Sequence, residues 1–437
     1  MWDEDPRNLA EALKNAGSRR ALIAARPADD IYISHDALQP LAGRLVEDPD
    51  YDRHAACLFE LGAESDHLLA GFIHRTERGQ AAGGVRFWSY PRLGSLINDG
   101  LRLSRAMGQK NALAGLWWGG GKGIIAREPG RDYDDARLRT AIFRDYGRFI
   151  SGIAGCYVTA EDVGTRPADM AAIFSTTRHT TCIPPVVGGS GNPGVLTARG
   201  VVVAMEAALA HCSGDTLAGK VIAMQGAGNV AQNMIATLLK HGIGKIIASD
   251  IDTAALDKAR NRFADAPVEL RQAEADNHSI LATPCDILAP NAVGGILNPD
   301  TIPVIRAPIV CGAANNQLRK PDRDAVGLQQ RDILYVPDFL ANRMGIVNCA
   351  NEQYGVICDD PAVEKHLDRH TPEGVYCRLL EVLARAEHSG RPPAHEAAVL
   401  ADELAAETHP AWPGRGQEII DSLIASNWAE KPTGTIC

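Results

Sequence analysis

Two lysines and one acidic turn hold the residues best suited to chemistry. Lys122 sits in "GLWWGGGKGII" (115–125) with Gly119, Gly120 and Gly121 before it and Gly123 after it. Lys110 lies twelve residues upstream in "MGQKNALAG", and Asp162 stands in the compact stretch "TAEDVGT" (159–165). Each glycine costs conformational entropy on folding, so four around one lysine call for a steric or chemical reason. If the three groups converge, Lys122 faces a carboxylate and a second ammonium. Loss of solvent and a neighbouring cation both lower a lysine's proton affinity, which equips it as a general base. The plain alternative is a solvated turn lysine. A phosphate-binding P-loop is excluded, because G-x-x-x-x-G-K-[ST] requires glycine where Leu116 stands and Ser or Thr where Gly123 stands.

A second pattern binds rather than reacts. "KVIAMQGAGNVAQNMIATLLKHGIGKIIASD" (220–250) reads as strand, Gly226-x-Gly228-x-x-Ala231, helix, strand and a terminal acid. Such glycines permit a tight turn and bring backbone N–H groups onto a pyrophosphate at the helix N-terminus, here opened by Asn229 and Val230. Asp250 follows Ala231 by 19 positions, close to the roughly 20 expected of a carboxylate on the ribose hydroxyls. A carboxylate there repels a 2′-phosphate, which favours NAD over NADP. The alternative is an ordinary tight βα turn.

The elements that must position these groups are legible in part. "AACLFELGAESDHLLAGFI" (55–73) predicts paired strands, and "LINDGLRLSRAMGQKNALAG" has helical spacing that leads into the glycine cluster. A Gly/Pro/Ser linker, "GGSGNPGVLTARGV" (188–201), marks a change. Beyond it, "KVIAMQ", "KIIASD", "CDILAP", "APIVCG" and "ILYVPD" alternate with helix-period runs, the pattern of βαβ units and a parallel sheet. After "NEQYG" (351–355) the pattern is helical again, in "EGVYCRLLEVLARAEHSG" and "AAVLADELAAETH". We therefore expect an extension over 1–54, a mixed α/β catalytic domain over 55–190, a nucleotide-binding domain over 191–340, and helices over 341–437 that return to the first domain.

The bulk numbers agree with a small-molecule enzyme. The 437 residues exceed what one core supports. A net charge of −10 without a basic stripe argues against nucleic acid or an anionic membrane as partner. Ten cysteines, Cys437 among them, show no CxxC pair and no Cys/His cluster of zinc-site spacing, so we expect reduced, mostly buried thiols and no metal site. The acidic N-terminus lacks an apolar leader region, and no apolar run approaches the roughly 18 residues of a membrane span. A cytoplasmic location is the expectation.

Taken in order, "GGVRFWSY" (83–90), "MGQKNALAGLWWGGGKGII" (107–125), "YVTAEDVGT" (157–165), "GSGNPGVLTARGV" (189–201), "MQGAGNVA" (224–231), "APNAVGGILN" (289–298), "GAANNQL" (312–318) and "YVPDFLANRMGIVNCANEQYG" (335–355) resemble the glutamate/leucine/phenylalanine/valine dehydrogenase superfamily, on its leucine and phenylalanine side. The resemblance spans roughly residues 55–425. It implies a two-domain α/β fold: an N-terminal mixed α/β domain completed by C-terminal helices, a Rossmann-type NAD-binding domain, and the active site in the cleft between them. It implies a homo-oligomer that turns an amino acid, NAD and water reversibly into a 2-oxo acid, ammonia and NADH. By motif, Lys110 resembles the lysine that pairs with the substrate carboxylate, Lys122 the lysine that activates the attacking water, and Asp162 the carboxylate that shuttles a proton to the amino group. Thr197 and Asn316 resemble contacts to the nicotinamide carboxamide, and Asn291 one near its ribose; as plain structure they would be a helix N-cap and two turn asparagines.

Two departures bear on the substrate. Before Gly83 and Gly84, where glutamate dehydrogenases carry a lysine for the distal carboxylate, this chain has Ala82. With Ala160, Ile346 and Cys349 it implies an apolar substrate pocket. Where the family has Asn-Ala-Gly-Gly, this chain has Asn342-Arg343-Met344-Gly345; Arg343 is then either a pocket charge or a solvated or paired scaffold residue, and Trp117 and Trp118 either pack or line the pocket. The leading expectation is an apolar or aromatic L-amino acid as substrate. The alternatives are a dehydrogenase or imine reductase for a nonstandard amino acid, and an NAD-binding regulatory protein without turnover.

Overall fold

The computed structural model describes residues 1–27, 30–275 and 277–433, and divides them into two units. The first comprises Met1–Asn192, Glu352–Val356 and the chain from Glu403; the second comprises Pro193–Asn351 and Ile357–Asp402.

The first unit is built on seven strands: β1 (Arg20–Ala25), β2 (Ile31–Ile33), β3 (Ala56–Leu61), β4 (Leu68–Ile73), β5 (Ala81–Trp88), β6 (Gly119–Ala126) and β7 (Tyr157–Glu161), in the order β2-β1-β3-β4-β6-β5-β7. Pairing is antiparallel from β2 to β6, whereas β6-β5 and β5-β7 are parallel. Strand alternation sends neighbours to opposite faces. Leu58 and Ile125 enter the core under the Ala136–Gly152 and Arg415–Ala425 helices, while Phe59 and Ile124 enter the core under the Leu93–Leu113 helix. The paired strands expected over 55–73 are β3 and β4.

Two expectations change here. The first 54 residues are no appendage: β1 pairs with β3 from Arg20↔Glu60 to Ala24↔Ala56, and Leu9, Leu13, Leu41 and Leu45 are buried in the sheet's core. Of the C-terminal helices, Ile357–Asp402 group with the second unit, and only Glu352–Val356 and the chain from Glu403 group with the first.

The second unit is an all-parallel six-stranded sheet. Its strands are β8 (Val221–Gln225), β9 (Lys245–Asp250), β10 (Val268–Gln272), β11 (Ile287–Pro290), β12 (Ile309–Val310) and β13 (Leu334–Tyr335), ordered β10-β9-β8-β11-β12-β13. Numbered within the unit this is 3-2-1-4-5-6, the doubly wound dinucleotide-binding order, with its switch point between β8 and β11. The run VELRQ of β10 escaped the sequence reading, because its half-exposed alternation is weak. The Gly194–Ser213 helix is longer and more apolar than the sequence reading allowed. Its Arg199 pairs with Glu364 and its Glu206 with Arg369, and Gly200 packs on Met344, which marks it as a core helix of this unit.

Among the described residues the nine cysteines are free thiols; five are buried, while Cys212 and Cys358 are exposed. Cys437 lies outside the described residues.

Candidate active site

The glycine cluster is a strand, not a loop. Gly119–Ala126 form β6 in the middle of the sheet, every residue buried. A Cβ on Gly119 would sit 2.0 Å from the Arg75 carbonyl oxygen and one on Gly120 2.2 Å from that of Ser104. On Gly121 it would meet the Tyr157 ring at 2.6 Å, and on Gly123 the Tyr146 hydroxyl at 1.8 Å. The glycines are thus required by the segment that follows β4, the Leu93–Leu113 helix and two buried tyrosines. Of the steric and chemical reasons for the cluster, the structure supplies the steric one.

Alternation then fixes where Lys122 points. Register pairs Ala82 with Gly120 and Val158, Gly84 with Ala160, and Phe72 with Lys122, so these residues share one face. The Leu93–Leu113 helix, which carries Lys110, covers that face: Asn111 Nδ2 donates to the carbonyls of Gly119 (2.7 Å) and Ala82 (3.4 Å). Lys122 is 4% exposed, and its Nζ lies 2.5 Å from Asp162 Oδ2.

Asp162 is held at the end of β7 by a turn: its N–H donates to Thr165 Oγ1, and its carbonyl accepts from the Thr165 N–H. Gly164 completes the turn at φ +84°. Gly84 is glycine because a Cβ there would lie 2.7 Å from Asp162 Cβ. Burial raises the Asp162 pKa, but the Lys122 and Arg86 cations outweigh it and bring it down to about 2. The result is a buried lysine–carboxylate pair able to exchange a proton with a bound group.

The cofactor fingerprint forms a cradle of the predicted kind. Gly226 turns the chain at φ +99°, and its N–H donates to the Ser249 carbonyl. Gly228 caps the Asn229–Lys240 helix, and a Cβ there meets nothing within 4 Å, so the space over the helix N-terminus is open. Asp250 ends β9 and accepts the Ala227 N–H at 2.6 Å, which ties the acid to the glycine turn. Asn291 follows β11 at the switch point, its Oδ1 accepting from the Ala313 N–H at 2.8 Å; its Nδ2 is buried with no hydrogen-bond partner among the described residues. Strand order, open helix terminus and unsatisfied amide together fit a bound dinucleotide.

Other predicted residues fall as follows. Thr197 is the fourth residue of its helix rather than an N-cap; its hydroxyl donates back to the Pro193 carbonyl (3.0 Å) and borders Gly345. Asn316 is exposed at φ +53°, a backbone state that asparagine tolerates. Ala82 and Ala160 are buried in the first unit; Ile346 and Cys349 are buried on the Met344–Glu352 helix of the second.

Arg343 is fully buried, donates to the Glu373 carbonyl, and has its pKa lowered to about 9 by burial and by Arg378. Met344 packs on Gly200. Both are scaffold residues of the second unit. Trp117 stacks its ring under Arg78 (4.2 Å) and beside His409 (5.6 Å), a packing role.

Sequence reasoning missed Arg86, Asp99 and Tyr90. Arg86 Nε lies 3.2 Å from Asp162 Oδ2, its Nη1 2.7 Å from Asp99 Oδ2, and Tyr90 donates to the same Asp99 oxygen at 2.7 Å. The signal was available: Arg86 is two residues past Gly84 on β5, hence on the Lys122 face.

A buried lysine–carboxylate pair in one unit and a dinucleotide cradle in the other define an oxidoreductase with two separately built binding functions. Sequence comparison gives its class. Residues 188–407 match the glutamate/leucine/phenylalanine/valine dehydrogenase family and residues 59–179 its dimerisation domain. The chain belongs to this family and is an amino acid dehydrogenase.

Among its relatives, leucine dehydrogenase of Geobacillus stearothermophilus is 41% identical over 71% of this chain and 81% of its own. Valine dehydrogenase of Streptomyces coelicolor is 38% identical over 77% and 88%. The crystal structure of L-tryptophan dehydrogenase from Nostoc punctiforme superposes with a TM-score of 0.65 at 30% identity, covering 80% of this chain and 96% of the other.

Proposed function

We propose that the protein catalyses the NAD-dependent, reversible oxidative deamination of an apolar or aromatic L-amino acid to its 2-oxo acid and ammonia, as a cytoplasmic homo-oligomer. The observation that carries this reading is the buried Lys122–Asp162 pair. Lys110 pairs with the substrate carboxylate. Asp162 takes a proton from the substrate amino group and later returns it to ammonia. Lys122 orients and deprotonates the water that adds to the imino carbon, and its exclusion from bulk solvent keeps that proton transfer local. Bound NAD supplies the hydride acceptor for Cα; Gly226, Gly228, Asn229 and Val230 hold its pyrophosphate, Asp250 its ribose hydroxyls, and Thr197, Asn291 and Asn316 its nicotinamide end. An apolar side chain is favoured because Ala82, Ala160, Ile346 and Cys349 offer no charge to a distal carboxylate, and because relatives act on leucine and valine. The dimerisation-domain match over 59–179 supports assembly of identical chains.

The burial of Arg343 and Met344 leaves Ala82 as the one support for a nonstandard substrate, so the ordinary reading is preferred. The test is a panel of common L-amino acids with NAD at alkaline pH. Reduced cofactor should form fastest with branched-chain or aromatic substrates. No reduction with any of them, and no consumption of NADH with 2-oxo acids and ammonia, would end the proposal.

A further inference from the structure

Arg86 joins three elements around the buried pair. It springs from β5, where alternation aims it at the face of Lys122. Its Nε reaches Asp162 Oδ2, the same oxygen that Lys122 contacts, and its Nη1 reaches Asp99 on the Leu93–Leu113 helix. Asp99 is itself fixed by Tyr90 (2.7 Å) and Arg102 (3.0 Å). From Asp99 to Lys110 is eleven residues, about three helical turns, so both lie on the same side of that helix. The order of charges is Asp99, Arg86, Asp162, Lys122, alternating in sign, with Asp99, Arg86 and Asp162 each about four-fifths covered or more.

From this geometry we infer that Arg86 is a positioning residue for the amine chemistry: its planar fork holds Asp162 in register with Lys122 and anchors to that pair the helix that carries Lys110. The inference rests on the proposed catalytic role of Asp162. A guanidinium suits the task because it presents donors in fixed directions and bridges two carboxylates, whereas an ammonium is a point charge. The other carboxylates near Asp162 are its neighbour Glu161 and Asp99, whose charges favour the protonated acid, while burial keeps the nearby Tyr90 and Tyr157 phenols neutral. Lys122, Arg86 and the Val163 backbone N–H oppose them.

The experiment is a double-mutant cycle on the full-length protein. Arg86→Met and Arg86→Lys are each made in the native chain and in Asp162→Asn, with turnover read as single-turnover formation of reduced cofactor at high enzyme concentration. Cofactor titration and the melting profile report folding. Arg86→Met should lower turnover at least tenfold in the native background and less than twofold with Asp162→Asn. It should also move the acidic limb of kcat/KM to higher pH, because Asp162 loses a cation. Arg86→Lys should recover part of the rate and serves the same cycle should the methionine variant fold poorly. Equal losses in both backgrounds, or an unmoved acidic limb, would overturn the positioning role. Unchanged turnover in Asp162→Asn by itself would instead overturn the catalytic role of Asp162.

Discussion

Gly123→Ala separates two explanations of the glycine strand. The added methyl would lie 1.8 Å from the Tyr146 hydroxyl oxygen and 3.0 Å from that of Tyr157. Tyr146 is fully buried and packed on Phe149, with ring centroids 5.7 Å apart, so it cannot swing aside without opening the core under the Ala136–Gly152 helix. An overlap of that depth belongs at the upper end of overpacking costs, about 3 kcal/mol. Tyr146→Phe removes the clashing oxygen, leaving the next ring atom at 2.9 Å. The double variant should therefore be more stable than Gly123→Ala alone, with a coupling of about 1–2 kcal/mol. All six tryptophans lie in the first unit, so urea unfolding followed by tryptophan fluorescence reads this unit alone. Cofactor affinity, a property of the second unit, should stay within twofold. If Gly123→Ala unfolds at the native urea concentration and loses only turnover, the glycines serve the chemistry directly and the packing account is refuted.

Three further outcomes follow from the geometry. The Lys122 and Arg86 cations bring the Asp162 pKa down from the ordinary aspartate range to about 2, so the stability it contributes is complete above about pH 4 and disappears as pH falls through about 2. That contribution is about 2 kcal/mol. The gap in unfolding free energy between the native protein and Asp162→Asn should accordingly be wider at pH 6 than near pH 2.5, and a constant gap would contradict the pairing. Asp250→Ser should weaken NADH binding at least tenfold and narrow its advantage over NADPH, as read by fluorescence titration of both; an unchanged ratio would remove Asp250 from ribose recognition. Arg343→Met should cost about 1–3 kcal/mol by removing the charge-assisted hydrogen bond to the Glu373 carbonyl, while the order of preference among amino acids stays the same. A changed order would return Arg343 to the substrate site.

Signals that are local in sequence reappear in the fold. The fingerprint around Gly226, the acid at Asp250 and the alternation of strands and helices beyond residue 220 recur as the cradle and the parallel sheet, because each is set by contacts within a few dozen residues. The pairing of Lys122 with Asp162 was also anticipated, though only the register of β6, β5 and β7 brings the two together. What was not legible depends on distant neighbours. Nothing in "GGGKG" announces Tyr146 and Tyr157, which close on Gly121 and Gly123. The first 54 residues carry short apolar runs whose partner, β3, is recognisable only after folding. Arg343 was open between a pocket charge and a scaffold residue, because its surroundings come from Glu373 and Arg378, thirty or more residues on.

The central claim is that Lys122 is the proton-transferring group of amino acid oxidation, working against Asp162. Its most direct test is the turnover of Lys122→Ala on the amino acid the native protein oxidises fastest, with NADH affinity measured on the same sample. Turnover should fall by about 10²–10⁴-fold while NADH binds as tightly as before. Native turnover with intact cofactor binding would contradict the account.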